Sequence, residues 1–214
     1  MIFIPIRTMK INDNVFSIRT VMVNMFVFKD GNDIICIDTG FSKLTVKYAL
    51  RKFGIDPSSV SNIFLTHSDY DHAGCIKLFT DAQIHLSKDE EQMINGTTPR
   101  AMGIRYNSRI KRPYHLLQDG DIVKVGNIKV QGISTPGHTP GSMSYLINDT
   151  YLFVGDTLSL IRNKVHTFPF FINKDTKTQK YSIKKLAGIN NVKAMFTAHS
   201  GYTADFQNSI YSWK

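Results

Sequence analysis

Four side chains able to ligate a metal fall within one hexapeptide, His67-Ser68-Asp69-Tyr70-Asp71-His72, directly after the apolar run 62–66. This feature restricts the fold more than any other. A buried strand must end on a cluster of imidazoles and carboxylates, and interiors tolerate such groups only when they are paired or bound to a cation. In extended backbone, residues i and i+2 project to the same side, so His67 and Asp69 converge on one ion. Asp71 and His72 lie where the chain turns into a helix, which aims them at a neighbouring ion. Any single Asp here would serve as a helix cap; four ligands followed by three more downstream do not read as caps.

Three further segments place a polar residue at a strand end. Ser134-Thr135-Pro136-Gly137-His138-Thr139-Pro140-Gly141-Ser142 holds His138 in a loop stiffened by two Pro-Gly breaks. Phe153-Val154-Gly155-Asp156-Thr157 ends an apolar strand on Asp156, and Phe196-Thr197-Ala198-His199-Ser200-Gly201 ends the last one on His199. A lone histidine is more often a satisfied structural residue, but small neighbours leave room for an ion at each of these ends.

Elsewhere the patterning alternates strands with helices. Apolar runs at 24–28 and 34–38 flank Lys29-Asp30-Gly31-Asn32-Asp33 and predict a hairpin. Val46, Ala49, Leu50 and Phe53 recur at helical spacing before the stop at Gly54. A helix is expected over 73–79, a strand over 83–86, and a capping box at Ser87-Lys88-Asp89-Glu90. From Asp121 the chain reads as a meander of strands at 121–125, 128–134, 143–148 and 151–155. Residues 157–180 read as irregular and aromatic, 181–188 as a helix and 193–198 as the last strand. Two groups of strands, each with helices, imply an α/β chain of two sheets sandwiched between helical layers.

The 214 residues suit a single domain spanning the chain, and 42 % hydrophobic with 20 % charged residues is ordinary for a globular protein. No apolar run approaches the ~20 residues that span a bilayer, and the start MIFIPIRTMK lacks the form of a secretory signal. A cytoplasmic protein without a membrane segment is expected. Cys36 and Cys75 form no CxxC pair and read as buried thiols. His85 alternates with apolar neighbours and reads as structural. The segment His166-Thr167-Phe168-Pro169-Phe170-Phe171 suits either a pocket wall or loop packing.

The order HxDxDH, TPGHTPGS, GDT, AHSG resembles the metallo-β-lactamase superfamily, nearest to its hydroxyacylglutathione-hydrolase (glyoxalase II-like) branch, from about Asn24 to His199. The resemblance implies the metallo-β-lactamase fold, an αββα sandwich of two mixed sheets packed face to face with helices on both outer sides. It implies a dinuclear site: His67, Asp69 and His138 on the first ion, Asp71, His72 and His199 on the second, and Asp156 bridging both. Ile37-Asp38-Thr39-Gly40 matches a family turn whose Asp38 would support the metal loop. An activated hydroxide would attack a carbonyl or phosphoryl centre, with Asp71 as the catalytic group that orients it or passes on its proton. Most members carry His where this chain has Asp69. That harder ligand keeps zinc first among the expected ions but opens the site to iron or manganese, and a carboxylate there resembles the flavodiiron oxidoreductases.

These features predict a metal-dependent hydrolase acting on a small, anionic ester or thioester. The alternatives are an iron-dependent redox enzyme of the same fold, or a phosphodiesterase or nuclease. A secreted β-lactamase is not expected, because Asp156 stands where the best-known ones carry Cys. Glutathione specificity is in doubt, because the chain ends 15 residues after His199, leaving no room for a glutathione-binding helical domain. The net charge of +9 favours acidic partners, though nucleic acid is not the expected one. Arg100, Arg105, Arg109, Lys111 and Arg112, with Lys174, Lys177, Lys180, Lys184 and Lys185, lie between metal-bearing strands and are expected to border the active-site mouth.

Overall fold

A computed structural model describes residues 4–100 and 110–214. The first half forms a seven-stranded sheet from β1 (Met9–Lys10), β2 (Val15–Thr20), β3 (Val23–Asp30), β4 (Asp33–Ile37), β5 (Asn62–Phe64), β6 (Gln83–Ser87) and β7 (His115–Leu117), in that spatial order. β1 to β4 are antiparallel neighbours, whereas β5, β6 and β7 join in parallel. The crossover from β4 to β5 carries helix α1 (Lys43–Lys52).

The second half contributes β8 (Ile122–Val125), β9 (Ile128–Ser134), β10 (Met143–Ile147), β11 (Tyr151–Phe153), a separate hairpin of β12 (Ser159–Ile161) and β13 (Lys164–His166), then β14 (Ala194–Thr197) and β15 (Gly201–Thr203). The second sheet has the order β15-β14-β11-β10-β9-β8, with β11 and β14 parallel.

Side-chain alternation along the strands creates the layers. In β3, Phe26 and Phe28 face the second sheet while Met25 and Val27 face α1; in β4, Ile35 and Ile37 go inward while Ile34 and Cys36 go outward. In the second sheet Met143, Tyr145, Ile147, Phe153 and Phe196 meet the first sheet. Leu146, Leu152 and Met195 pack instead against helices α4 (Thr176–Ala187) and α5 (Phe206–Ile210). Both faces of each sheet are covered, so central strands are apolar throughout rather than alternating with polar residues. The αββα sandwich expected from the sequence is present. Among the described residues no helix is long and apolar enough to cross a membrane.

The hairpins follow their turn residues. Gly31 at φ 58° and Asn32 close β3 to β4, and Asn148 and Asp149, both with positive φ, close β10 to β11. α1 buries Val46, Ala49 and Leu50 as the spacing predicts.

Three local expectations are corrected. The helix expected over 73–79 is one turn, α2 (Tyr70–Ala73), followed by a 3₁₀ turn at Ile76–Leu78. It starts early because Asp69 O takes the N–H groups of His72 and Ala73, and it stops because Cys75 N–H leaves the ladder for Gly40 O at 3.0 Å. The stretch 157–180 is not irregular throughout. It holds the β12–β13 hairpin and the first turn of α4, which starts at Thr176 because the Asp175 carboxylate caps Lys177 and Thr178 N–H. That turn shows no apolar period because its inward residue, Gln179, is polar, as is Ser182 in the next turn. At Ser87 the hydroxyl caps Asp89 N–H, but Glu90 does not reach back to complete a capping box; it turns inward before α3 (Glu91–Ile94).

Candidate metal centre

All seven sequence-predicted ligands meet at one end of the sandwich, on the loops that follow β5, β9, β11 and β14. Three groups bring their ligand atoms within 4.8 Å of one another: His67, Asp69 and His138; His67, His72 and Asp156; and Asp71, His72 and His199. Asp156 links the groups, with Oδ2 3.4 Å from His138 Nε2 and 3.3 Å from His199 Nε2, and Oδ1 3.6 Å from His72 Nε2. Asp69 Oδ2 lies 3.5 Å from His67 Nε2 and 3.3 Å from His138 Nε2, and Asp71 Oδ2 lies 3.6 Å and 3.4 Å from the Nε2 atoms of His72 and His199.

The four imidazoles are oriented alike. Each uses Nδ1 in a hydrogen bond and turns Nε2 to the centre. His72 Nδ1 meets Asp38 Oδ2 at 2.8 Å, and His199 Nδ1 donates to Met22 O at 2.7 Å. His138 Nδ1 meets Asn173 Oδ1 at 3.2 Å. Thr66 gives its hydroxyl proton to Asp38 Oδ2 at 2.8 Å, which leaves its oxygen to accept from His67 Nδ1 at 3.1 Å. Asp38 thus holds His72 directly and His67 through Thr66, and its Oδ1 also takes Thr66 N–H at 2.8 Å. It adopts φ 59°, an unfavourable conformation for a residue with a Cβ and one that recurs at functional sites. Such partners fix the tautomer and direction of metal-binding imidazoles.

The set fits metal ions on one observation in particular. Among the described residues, His67 Nε2, His72 Nε2 and Asp156 Oδ1 are buried and lack any hydrogen-bond partner. Folding leaves such atoms unpaired only at a cost of about 1–3 kcal/mol each, and all three point into the same space.

Electrostatics agree with a cation site. Burial works to raise Asp156, but His199, His72 and His138 around it hold the carboxyl below the usual carboxylate range. Burial likewise opposes ionisation of Asp69, yet the neighbouring His138 and His67 imidazoles keep it well below its ordinary value. His72 is raised well above its ordinary value: burial pulls it down, and Asp71, Asp156 and Asp38 outweigh that pull. Burial is the main influence on His138 and lowers it, ahead of the opposing pull of Asp156.

Two residues whose roles the sequence did not show tie the loops together. Glu90, fully buried, accepts from Ser68 N–H (2.8 Å) and Ser68 Oγ (2.6 Å) through Oε1, and from Thr139 Oγ1 (2.6 Å) and Gly141 N–H (3.2 Å) through Oε2. It clamps the His67 loop to the His138 loop. Gly141 is required there, since a Cβ would overlap the Glu90 backbone. Arg100, only 2 % exposed, places Nε 3.0 Å and 2.9 Å from the two Asp69 oxygens. One of its terminal nitrogens lies 3.0 Å from His138 Nε2 and donates to Ile172 O at 2.7 Å.

Of the basic residues expected at the mouth, Arg100 lines the central cleft, whereas Lys111, Arg112 and the α4-region lysines do not. Arg100 is committed to Asp69, and Arg112 donates to the carbonyls of Phe79 and Ala82. Lys185 pairs with Asp119, and none of the five α4-region lysines lines the central cleft. α4 buries the face carrying Gln179 and Ile183, which turns its lysines to solvent. Arg105 and Arg109 lie outside the described residues. The cleft beside the candidate ligands, about 350 Å³, is walled by Met22, Phe41, Tyr70, Phe168 and Ile172 together with Arg100. Phe168 settles against His138 and His199 with ring centroids at 5.1 Å and 5.6 Å, whereas Phe170 and Phe171 are exposed and His166 stays in β13. Both cysteines are buried free thiols, and His85 pairs with Asn62 at 2.7 Å as a structural residue.

Comparison with known proteins supplies the family of this fold. Residues 18–199 match the metallo-beta-lactamase superfamily profile, and the chain belongs to that superfamily. A probable metallo-hydrolase of Methanocaldococcus jannaschii is 28 % identical over 152 residues, 71 % of this chain and 63 % of the relative. A hydroxyacylglutathione hydrolase of Saccharophagus degradans is 31 % identical over 133 residues, 59 % of this chain and 43 % of that protein. The matched part thus spans less than two thirds of either relative's length. Among solved structures, a B3 metallo-beta-lactamase with an active-site glutamic acid superimposes with a TM-score of 0.76 at 18 % identity, covering 99 % of this chain and 87 % of that one. A metallo-beta-lactamase family protein of Thermus thermophilus gives 0.72 at 18 % identity, covering 95 % and 79 %.

Proposed function

We propose that the protein hydrolyses a small ester or thioester at a dinuclear metal centre, with a preference for anionic substrates. The observation that carries this reading is the convergence of three unpaired, buried ligand atoms, of His67, His72 and Asp156, beside an open cleft that Asp69, Asp71, His138, Asp156 and His199 line. His67, Asp69 and His138 would hold one ion, Asp71, His72 and His199 the other, and Asp156 both. Ions held there supply Lewis acidity and bring the pKa of a ligated water to about 7.

The chain's own residues do the rest. Asp71 is the half-exposed member of the set, on the cleft side of α2, where it is placed to accept a proton from the attacking water and return it to the leaving group. Met22, Phe41, Tyr70, Phe168 and Ile172 exclude water from the reacting carbonyl and favour an apolar acyl portion. The anionic preference rests on the net charge of +9 and on Arg105 and Arg109, which follow Arg100 in sequence. A glyoxalase II-like thioesterase activity is supported by likeness to hydroxyacylglutathione hydrolases, and zinc by likeness to a probable zinc-dependent polyketide-biosynthesis hydrolase of Bacillus subtilis, 34 % identical over 99 residues. The Asp69 carboxylate favours iron as the second reading.

The test is a panel of esters, thioesters, phosphodiesters and β-lactams offered to metal-replete protein, wild type against Asp71→Asn. Ester or thioester turnover should dominate, and the substitution should lower kcat by about 10²-fold or more while the chain stays folded and metal-loaded. Dominant phosphodiester turnover, or oxygen-dependent activity of the iron form alone, would replace this reading.

A further inference from the structure

Arg100 is a buried cation set against two of the three ligands of the first group. Its Nε contacts both Asp69 oxygens and its terminal nitrogen faces His138 Nε2, the atom that His138 turns to the centre. His138 gives Nδ1 to Asn173 Oδ1, so the Nε2 lone pair is the acceptor that the guanidinium meets. A lone pair used in that way is withheld from a metal. The second group differs: among the described residues no arginine or lysine forms an ion pair with Asp71 or Asp156.

We infer that Arg100 acts as an internal competitor for the first metal position, so that the two ions load in sequence, the second position (Asp71, His72, His199, with Asp156) tightly and the first (His67, Asp69, His138) weakly. This rests on the dinuclear reading above and deepens it. An ion arriving at the first position meets a carboxylate already balanced by a guanidinium, and repulsion between like charges is large where water is excluded. If the side chain withdraws to admit the ion, it gives up two bonds to Asp69 and one to Ile172 O. Either course weakens the first position and leaves the second untouched. The substitution of the family's usual His by Asp69 is thereby coupled to Arg100: a carboxylate accommodates this arginine, and an imidazole would not pair with it as an anion.

The experiment is a cobalt(II) titration of the metal-free full chain, followed by visible absorption and by competition with a chelator of known affinity. Wild type should take up two ions in separate steps at least about tenfold apart in affinity. Arg100→Met should tighten the weaker step about tenfold or more and draw the two together. His67→Gln should delete the weak step and His199→Gln the tight one, which assigns the steps even if the Arg100 variant does not fold. Coincident wild-type steps, unchanged spacing in a folded Arg100→Met protein, or loss of the tight step in His67→Gln would each overturn the inference. A wild-type chain that bound no cobalt would instead remove the metal-centre reading beneath it.

Discussion

Replacing Glu90 with Gln perturbs the metal centre without touching a ligand. The carboxylate takes four donors: two backbone N–H groups, of Ser68 and Gly141, and the hydroxyls of Ser68 and Thr139. A glutamine of the same shape offers one oxygen and one NH₂. The hydroxyls can rotate and accept from the new amide; Thr139 already has Ser142 Oγ at 2.9 Å as an alternative partner. A backbone N–H cannot rotate, so the donor that faces the NH₂, Ser68 or Gly141, is left buried and unpaired. One orphaned backbone donor costs about 1–3 kcal/mol, and replacing charge-assisted bonds by neutral ones adds roughly another 1 kcal/mol. The expected loss is therefore about 2–4 kcal/mol. For a domain of this size that lowers Tm by on the order of 10 °C. Urea unfolding of the metal-free protein measures the energy directly, and metal titration of the folded fraction should show weaker binding because the His67 and His138 loops are no longer clamped. An unfolding midpoint within experimental error of wild type would refute the argument that Glu90 is the brace between the two loops.

Two further outcomes follow from the packing. Gly141→Ala places a methyl group on the Glu90 backbone, so thermal melting should show a loss of about 1–3 kcal/mol or more from overpacking; a fully stable variant would mean the two loops are not in close contact. His85 is pushed from 6.5 down to about 4, first by burial and then by His115 beside it. Between those values the unfolded chain binds a proton that the folded chain refuses, so His85 makes stability fall as the pH drops through that window. Melting temperature should decline more steeply from pH 6.5 to 4 in wild type than in His85→Gln, and parallel curves would contradict the assignment.

The clustering of the seven candidate residues was legible because the segments that carry them follow strands whose apolar runs are obvious, and because HxDxDH compresses four of them into six residues. The layers were legible for a related reason: runs such as Ile34-Ile35-Cys36-Ile37 are apolar on both faces, which only a doubly covered sheet requires. The supporting groups were not. Glu90 follows Ser87 at the spacing of a capping box, and local sequence cannot tell a carboxylate that caps its own helix from one that reaches 22 residues back in the chain to Ser68. Arg100 opens a basic stretch with no apolar period to mark an inward face; its burial goes with its pairing to Asp69, 31 residues away. Asn173 and the early start of α4 were hidden because the inward face of that helix's first turn is polar, built to hold His138 rather than to fill a core. Periodicity reports apolar burial and is silent on polar burial, which is why the frame around the candidate ligands could not be read.

Zinc K-edge X-ray absorption of the zinc-loaded chain tests the central claim most directly. The seven ligands offer four imidazole Nε2 atoms and three carboxylates, while Cys36 and Cys75 are buried in the layer between the first sheet and α1. The account predicts a shell of nitrogen and oxygen at about 2.0–2.2 Å, with the multiple-scattering pattern of imidazole and no sulfur. A sulfur shell at about 2.3 Å, or a spectrum without imidazole scattering, would contradict it.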